Sequence, residues 1–143
     1  MDTQHLHIRP ARLDDAAAIF GLTVSLAMSY KPDRTAFDAS LPSIIASSDT
    51  MLTVAESGGI VAAYALAVRI PTFYANGAIV ELVELIVEES RRGEGIGTLL
   101  VESMLEWARA GGAVEVTTMT RRARDYYLRL GFEETASYFK RKL

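Results

Sequence analysis

A glycine-rich segment between a predicted strand and a predicted helix carries the clearest chemical signal in the sequence. It reads Glu-Glu-Ser-Arg-Arg-Gly-Glu-Gly-Ile-Gly over residues 88–97. The first turn of a helix has free backbone N–H groups and a partial positive charge, so it binds anions. Glycines let the backbone come close to a phosphate, and Arg91 and Arg92 add positive charge beside it. The segment therefore predicts a binding loop for a pyrophosphate group.

Three glycine-loop motifs compete for this segment. A P-loop ends in Gly-Lys-Ser/Thr, whereas here Gly97 is followed directly by Thr98. A dinucleotide-binding fingerprint is G-x-G-x-x-G, whereas the spacing from Gly93 is G-x-G-x-G, and no acidic residue at a strand end is placed to bind a ribose. The third motif, R/Q-x-x-G-x-G/A, is matched by Arg92, Gly95 and Gly97. The remaining alternative is a glycine-rich turn that only starts a helix.

The elements around this loop alternate between strand and helix. The order strand, helix, strand around the loop predicts two parallel strands joined by a right-handed crossover. We therefore predict an α+β fold in αβα layers, with a mixed, mostly antiparallel central sheet. The predicted strands cover residues 6–8, 51–56, 60–70 and 78–87, a strand that begins at residue 114, and one or two closing strands over residues 133–142.

The strand that leads into the loop carries two glutamates. Successive side chains of a strand point to opposite faces of the sheet. Regular alternation predicts one face with Glu81, Val83, Leu85 and Val87, and an opposite face with Leu82, Glu84 and Ile86.

Composition excludes several classes of protein. The 143 residues are 50% hydrophobic and 23% charged, which excludes a disordered, collagen-like or low-complexity chain. The net charge of −3 lacks the basic footprint that nucleic-acid binding needs. The chain has no cysteine, which excludes disulfides, thiolate zinc sites and a thiol-bound covalent intermediate.

Targeting segments are also not recognised in the sequence. The N-terminus has no apolar segment of a secretory signal, and the longest uncharged stretch, residues 16–30, is too short and polar to span a membrane. No composition break or linker divides the chain. We expect one domain over residues 1–143, cytoplasmic, with no metal site and with no nucleic-acid or membrane partner.

A second motif lies downstream of the loop, over residues 123–132. Its pattern is Ala-x-x-Tyr-Tyr-x-x-x-Gly-Phe. Together with the loop motif, it resembles the two signature segments of the GNAT-type N-acetyltransferase superfamily. The resemblance covers the whole chain in element order and is specific over residues 82–132. Thr120 is a departure, since many members carry Asn three residues before this alanine, which affects one side-chain contact to the cofactor.

The resemblance implies a binding mode for acetyl-coenzyme A. In the family, the pyrophosphate lies on the loop that residues 92–97 match, and the pantetheine arm pairs like an extra strand with the backbone that residues 85–87 match. The arm runs where the parallel strands at Val87 and Val114 splay apart. Glu94 lies inside this anion site, so we expect its side chain to point into solvent. The residues implied to bind acetyl-CoA are Leu85, Ile86, Val87, Arg92, Gly93, Glu94, Gly95, Ile96, Gly97, Thr98, Thr120 and Tyr127.

The resemblance also implies an acid and a base. The general acid corresponds to Tyr127, a phenol that is protonated at neutral pH and can donate to the departing thiolate. The amine must lose a proton before it attacks, and Glu81 and Glu84 are the candidate bases. Glu81 matches the base position of histone-acetylating members, and Glu84 matches an acidic position of polyamine-acetylating members. Glu81 is favoured because alternation places it on the face of Leu85 and Val87, although each glutamate is equally well explained as a solvated or ion-paired strand residue.

The predicted function is transfer of an acetyl group from acetyl-CoA directly to a primary amine. The acceptor would be a small molecule, an amino-acid derivative or a peptide. One alternative is a non-catalytic sensor that binds acyl-CoA on the same fold, against which the presence of Tyr127 counts. Another is a nucleotide-binding module, which would bind ATP or NAD. Many members of the family dimerise, so the resemblance also allows a homodimer.

Overall fold

Strands and helices follow one another much as the sequence pattern predicts. The computed structural model describes residues 5–27 and 29–143. The strands are β1 (Leu6–Pro10), β2 (Thr50–Ser57), β3 (Ile60–Ile70), β4 (Ile79–Val87) and β5 (Glu115–Thr118). The helices are α1 (Ala16–Leu26), α2 (Arg34–Ala46), α3 (Ile96–Ala110) and α4 (Arg124–Arg129). Within the described ranges, no helix is long and apolar enough to cross a membrane.

The five strands form one sheet in the order β1-β2-β3-β4-β5. Neighbouring strands are antiparallel except β4 and β5, which are parallel and connected through α3. A short turn joins β2 and β3 and uses Gly58 and Gly59 at φ of 59° and 79°. A parallel pair needs a longer crossover, and α3 supplies it. The prediction of a mixed, mostly antiparallel sheet is therefore confirmed.

Helices cover both faces of the sheet. On one face, α3 buries Leu100, Val101 and Met104 against alanines of β3, and the partly buried Tyr127 of α4 packs on the same cluster. On the other face, α1 packs Ile19 and other apolar residues against β2, β3 and β4, with α2 at the edge of this cluster. The small β3 alanines let α3 approach closely. The result is the predicted αβα layering.

A β-bulge in β4 changes which side chains share a face. Leu66 of β3 pairs with Glu84, but the next β3 residue pairs with Leu82, so Val83 is the extra residue. Leu82 consequently packs in the α3-side cluster with Leu85 and Val87, whereas regular alternation would separate them. The predicted faces of this strand are therefore wrong.

The two glutamates of β4 lie on the same face as a result of the bulge. Glu81 pairs with Val68, and Glu84 pairs with Leu66. Both β3 partners have the same side-chain direction as Tyr64, which belongs to the cluster beneath α1. Glu81 therefore lies on the face opposite to Leu85 and Val87, and the prediction that it shares their face is wrong.

Residues 133–143 form neither helix nor strand, so the prediction of closing strands over residues 133–142 is wrong. Long basic side chains hold this segment against the connection between α1 and α2. The Nζ atoms of Lys140 and Lys142 donate to the hydroxyl and the carbonyl oxygen of Ser29, each at 3.0 Å. Both ammonium groups also lie over the ring of Tyr30, at 5.8 and 4.6 Å from its centroid. These contacts take the place of strand pairing.

Candidate active site

The parallel pairing of β4 and β5 stops partway along β4. The pairs run from Ile79 with Glu115 to Leu82 with Thr118, and β4 then continues to Val87 paired only with β3. The hydroxyl of Thr118 donates a hydrogen bond to the carbonyl oxygen of Leu82 at 3.1 Å, at the end of the paired part. The two strands therefore separate beside the stretch that the sequence predicts for the pantetheine arm.

The part of β4 that does not pair with β5 directs some of its backbone N–H and C=O groups toward the gap between the two strands. The N–H of Glu88 donates to a β3 carbonyl oxygen at 2.8 Å, so by alternation the backbone of Ile86 also faces β3. The N–H and C=O groups of Leu85 and Val87 then face away from β3. Arg92 agrees with this direction, since its Nε atom donates to the carbonyl oxygen of Val87 at 3.1 Å. Leu85 and Val87 thus present backbone to the gap, and Ile86 does not.

Two glycines shape the loop that follows β4. Gly93 and Gly95 have φ angles of 82° and 85°, in the left-handed region that favours glycine. Gly95 is the N-cap of α3 and has no side chain to cap the helix, so the first N–H groups of α3 have no partner within the helix. A Cβ built on either glycine would meet no atom within 4 Å. The loop therefore leaves open space at a helix N-terminus, which fits the anionic part of acetyl-CoA.

Gly97 allows α4 to approach the start of α3. A Cβ on Gly97 would lie 3.2 Å from the hydroxyl oxygen of Tyr126 and 3.6 Å from Cγ2 of Val87. The hydroxyl groups of Tyr126 and Thr98 are 3.1 Å apart and form a hydrogen bond. Tyr126 therefore contacts the N-terminus of α3, although sequence analysis does not place this residue in the site. Ile96 is buried in the α3-side cluster, so its side chain anchors the loop.

Glu94 does not point into solvent, and the expectation that it does is wrong. Its side chain is 15% exposed, and Oε2 accepts a hydrogen bond from Nε of Arg91 at 3.1 Å. The other carboxylate oxygen, Oε1, is buried and has no hydrogen-bond partner among the described residues. The ion pair with Arg91 offsets the negative charge of Glu94, so that a carboxylate can lie within a predicted anion site.

Tyr127 lies on α4, with its hydroxyl beside the end of β5. Its ring packs on the α3-side cluster, in edge contact with Tyr126 and Phe132 at 5.3 and 5.4 Å between centroids. Burial raises the pKa of Tyr127 above its ordinary value, and a hydrogen bond with the Thr118 side chain partly opposes this rise. The phenol is therefore protonated at neutral pH. The Tyr127 hydroxyl lies beside Thr118, where β4 and β5 separate.

Thr120 shapes the turn before α4. Its hydroxyl oxygen accepts a hydrogen bond from the backbone N–H of Ala123 at 2.9 Å. A short polar side chain suits this position, because it can bond to a backbone N–H a few residues on. Thr120 thus shapes the segment that presents Tyr127.

A cleft of about 330 Å³ opens on the α1–α2 face of the sheet, and Glu84 lines it. The cleft also contains Thr23 of α1, Asp33 beside α2, and Tyr64 of β3. Glu81 lies on the same face earlier along β4, where it pairs with Val68 of β3 and with a β5 residue. The structure therefore brings Glu84 into a cleft that could hold an amine acceptor.

Tyr64 and Thr23 are residues of this cleft that sequence analysis does not identify. The Tyr64 hydroxyl donates to Oε1 of Glu84 at 2.8 Å and lies 2.9 Å from Oγ1 of Thr23. The signal in the sequence is weak: a tyrosine stands among small residues in the strand pattern Val-Ala-Ala-Tyr-Ala-Leu-Ala-Val. In the described part of the chain, no group of three or more His, Asp and Glu side chains is arranged to hold a metal ion.

Comparison with known proteins assigns this arrangement to a family. The model of the acetyltransferase (GNAT) family matches residues 21–132. Glucosamine 6-phosphate N-acetyltransferase 1 from Oryza sativa subsp. japonica is 30% identical over 139 residues, which covers 93% of this chain and 84% of that protein. N-acetyltransferase 8B from Mus musculus is 33% identical over 91 residues, which covers 61% of this chain and 39% of that protein. The chain thus spans well under half the length of the mouse and rat N-acetyltransferases it matches.

A solved structure agrees in fold. The structure of an aminoglycoside N-acetyltransferase in complex with CoA has a TM-score of 0.85 with this chain, at 23% sequence identity, and covers 96% of this chain and 95% of that chain. One conclusion follows from three observations: β4 and β5 separate, Gly93 and Gly95 have left-handed φ angles, and the family model matches most of the sequence. The chain belongs to the GNAT family of acetyltransferases.

Proposed function

We propose that this chain, as one domain over residues 1–143, is an acetyl-CoA-dependent N-acetyltransferase that transfers the acetyl group directly to a primary amine. The observation that carries the proposal is the path from the unpaired edge of β4 to the start of α3. Backbone groups of Leu85 and Val87 face the gap beside β5, and the loop at Gly93 and Gly95 leaves open space at the helix N-terminus. An extended arm that ends in a pyrophosphate matches this path.

Tyr127 and Glu84 would carry the proton transfers. The Glu84 carboxylate takes one proton from the ammonium group, and the neutral nitrogen then attacks the thioester carbon. The C–S bond breaks as the sulfur receives the proton of the Tyr127 hydroxyl, and the second proton that the nitrogen loses returns to the Tyr127 oxygen. Burial keeps Tyr127 protonated at neutral pH, which suits a general acid. Glu84 is the better candidate base than Glu81, because it lines the cleft beneath α1 and α2.

The cleft favours a cationic small-molecule acceptor. Asp33 and Glu84 contribute carboxylates, while Thr23, Ser40 and Tyr64 contribute hydroxyl groups. Carboxylates attract an ammonium group, and hydroxyl groups can bind a polar substituent on the same molecule. The names of similar proteins refer to glucosamine 6-phosphate and to aminoglycosides, which supports an amino-sugar type of acceptor.

A screen of amine acceptors tests the proposal. The chain is incubated with acetyl-CoA and with amino sugars, polyamines, amino-acid derivatives or short peptides, and release of the free thiol of CoA is followed. We expect acceptor-dependent thiol release, and calorimetric binding of CoA without comparable binding of ATP or NAD. CoA binding with no thiol release for any acceptor would favour the non-catalytic sensor, whereas binding of ATP or NAD instead of CoA would favour the nucleotide-binding module.

A further inference from the structure

A buried tyrosine is hydrogen-bonded to the proposed base. Tyr64 is 2% exposed and stands directly beneath α1, between the sheet and the cleft. Its hydroxyl donates to Oε1 of Glu84 at 2.8 Å. Burial raises the pKa of Tyr64, and the negative charge of the adjacent Glu84 raises it further. The tyrosine therefore stays protonated and remains a hydrogen-bond donor at every pH at which the protein would work.

The hydrogen bonds around this tyrosine leave one arrangement for its proton. An ionised carboxylate can only accept, so the proton between Tyr64 and Glu84 belongs to the tyrosine. The hydroxyl of Thr23 lies 2.9 Å from the Tyr64 oxygen and also 2.9 Å from the carbonyl oxygen of Ile19. Thr23 has a single hydroxyl proton, so it donates either to the carbonyl oxygen in α1 or to the phenol oxygen, and it lies against the phenol from that helix.

The register of the sheet fixes the rest of the geometry. Tyr64 pairs with Ile86, and Leu66 pairs with Glu84, so Tyr64 and Glu84 are diagonal neighbours on one face. Glu84 and Ile86 are two positions apart in the regular part of β4, so both lie on the face of Tyr64, and the bulge at Val83 adds Glu81 to that face. One carboxylate oxygen of Glu84 is engaged by the tyrosine, which leaves Oε2 as the oxygen available to an amine in the cleft.

We propose that Tyr64 is a positioning residue, which holds the Glu84 carboxylate in the orientation that accepts a proton from the amine. This inference rests on the proposed function, because it assigns Tyr64 a role through the proposed base. A flexible glutamate on a half-exposed strand samples several rotamers, whereas a hydrogen bond from a buried phenol selects one. Loss of orientation reduces rate, since small displacements of a catalytic group can cost about 100-fold.

The experiment is a double-mutant cycle on Tyr64 and Glu84. Tyr64→Phe keeps the buried ring and removes only the hydroxyl. With an acceptor found in the screen, we expect kcat to fall by about 10- to 100-fold, with little change in the dissociation constant of CoA. Glu84→Gln should slow the reaction more, and Tyr64→Phe added to Glu84→Gln should cause no further loss. If Tyr64 acted only in folding, Tyr64→Phe would lower the midpoint of thermal unfolding. It would also reduce the rate of the Glu84→Gln variant by as much as it reduces the rate of the parent chain.

Tyr74→Phe is the matched control. It also removes a Tyr–Glu hydrogen bond, between the exposed Tyr74 and Glu115 at 3.1 Å, but at the opposite end of the β4–β5 pair. We expect this control to keep the parent rate. A Tyr64→Phe variant with the parent rate, or a loss that simply adds to that of Glu84→Gln, would overturn the inference while leaving acetyl transfer intact. A Glu84→Gln variant with full activity would overturn both the base and its positioning residue, and an absence of thiol release by the parent chain would overturn the proposed function itself.

Discussion

The hydroxyl of Thr118 and the carbonyl oxygen of Leu82 lie 3.1 Å apart, and this hydrogen bond is at the point where β4 and β5 stop pairing. The same threonine side chain lies beside the Tyr127 hydroxyl and partly opposes the rise that burial causes in its pKa. One residue therefore connects the end of the paired sheet to the proposed general acid. The Tyr127 hydroxyl lies at the start of the gap between β4 and β5, which suits proton donation to the sulfur of a CoA molecule bound along the edge of β4.

Replacement of Tyr127 by phenylalanine tests the general acid. Tyr127→Phe keeps the ring contacts with Tyr126 and Phe132 and removes the proton donor. General acid catalysis contributes about 10²–10⁴-fold, so we expect kcat to fall within that range. The dissociation constant of CoA should change much less, because the donor acts mainly in the transition state. Single-turnover rates with a confirmed acceptor provide the measurement, and a variant that reacts at the parent rate would exclude the role.

Replacement of Gly95 tests the loop. Gly95→Val puts a branched side chain at φ 85°, into the open space where an anion would approach. We expect the dissociation constant of CoA to rise by at least about 10- to 100-fold, the equivalent of one hydrogen bond to a charged group. Gly112→Val is the control, since Gly112 has φ 79° and equally open surroundings beyond the other end of α3. Calorimetry should show weakened CoA binding for the first variant only, although both lose stability through left-handed strain.

The choice between the two glutamates is tested by a matched pair of variants. Glu84→Gln should lower kcat by about 10²–10⁴-fold, because an amide cannot accept the proton of the amine. Glu81→Gln makes the same chemical change on the same face of β4, and we expect little effect on kcat. The rates of the two variants are compared at saturating acetyl-CoA. If Glu81→Gln lowered kcat and Glu84→Gln did not, Glu81 would be the general base.

The ion pair near the N-terminus predicts how stability depends on pH. Arg9 donates two hydrogen bonds to Asp15, at 2.8 and 2.9 Å, and this contact holds the pKa of the Asp15 carboxyl below its usual value. A lowered folded-state pKa gives stability that is present above the unfolded-state pKa of about 4 and is lost as the pH falls below it. Asp15→Asn should reduce the free energy of unfolding at pH 7 by about 1.5–3 kcal/mol.

Urea unfolding of the parent and Asp15→Asn chains between pH 7 and pH 3 measures this effect. The difference between them should shrink as the pH falls below about 4, because the unfolded parent chain then binds a proton that the folded chain binds only at its own, lower pKa. Asp14→Asn is the control, since Asp14 is the exposed neighbour of Asp15 in the same turn. A difference that stays constant over the whole pH range would contradict the assigned ion pair.

Local patterns predict the loop and the helix that follows it. Gly93 and Gly95 mark a turn that only glycine forms easily, and the apolar spacing after it is helical. Both features depend on residues close together in sequence, and the structure has the loop and α3 where the sequence predicts them. The parallel crossover follows from element order alone.

The faces of β4 and the partner of Glu84 could not be predicted in the same way. The bulge at Val83 depends on how β3 and β4 fit together, and no residue type in the strand marks it. Tyr64 reaches Glu84 only because two strands pair in this register. The path of residues 133–143 likewise depends on Lys140 and Lys142 meeting the α1–α2 connection, a contact between distant parts of the chain.

The extra residue in β4 lets two acidic side chains that are three positions apart share one face of the sheet. Residues at that spacing point to opposite faces of a regular strand, but Val83 has no partner on β3, so Glu81 and Glu84 point the same way. Deletion of Val83 would leave these glutamates two positions apart in a regular pleat and still on one face, whereas regular pairing of Val83 would turn Glu81 away from the cleft. The side of the sheet on which Glu81 lies therefore depends on whether one residue is paired, without any substitution.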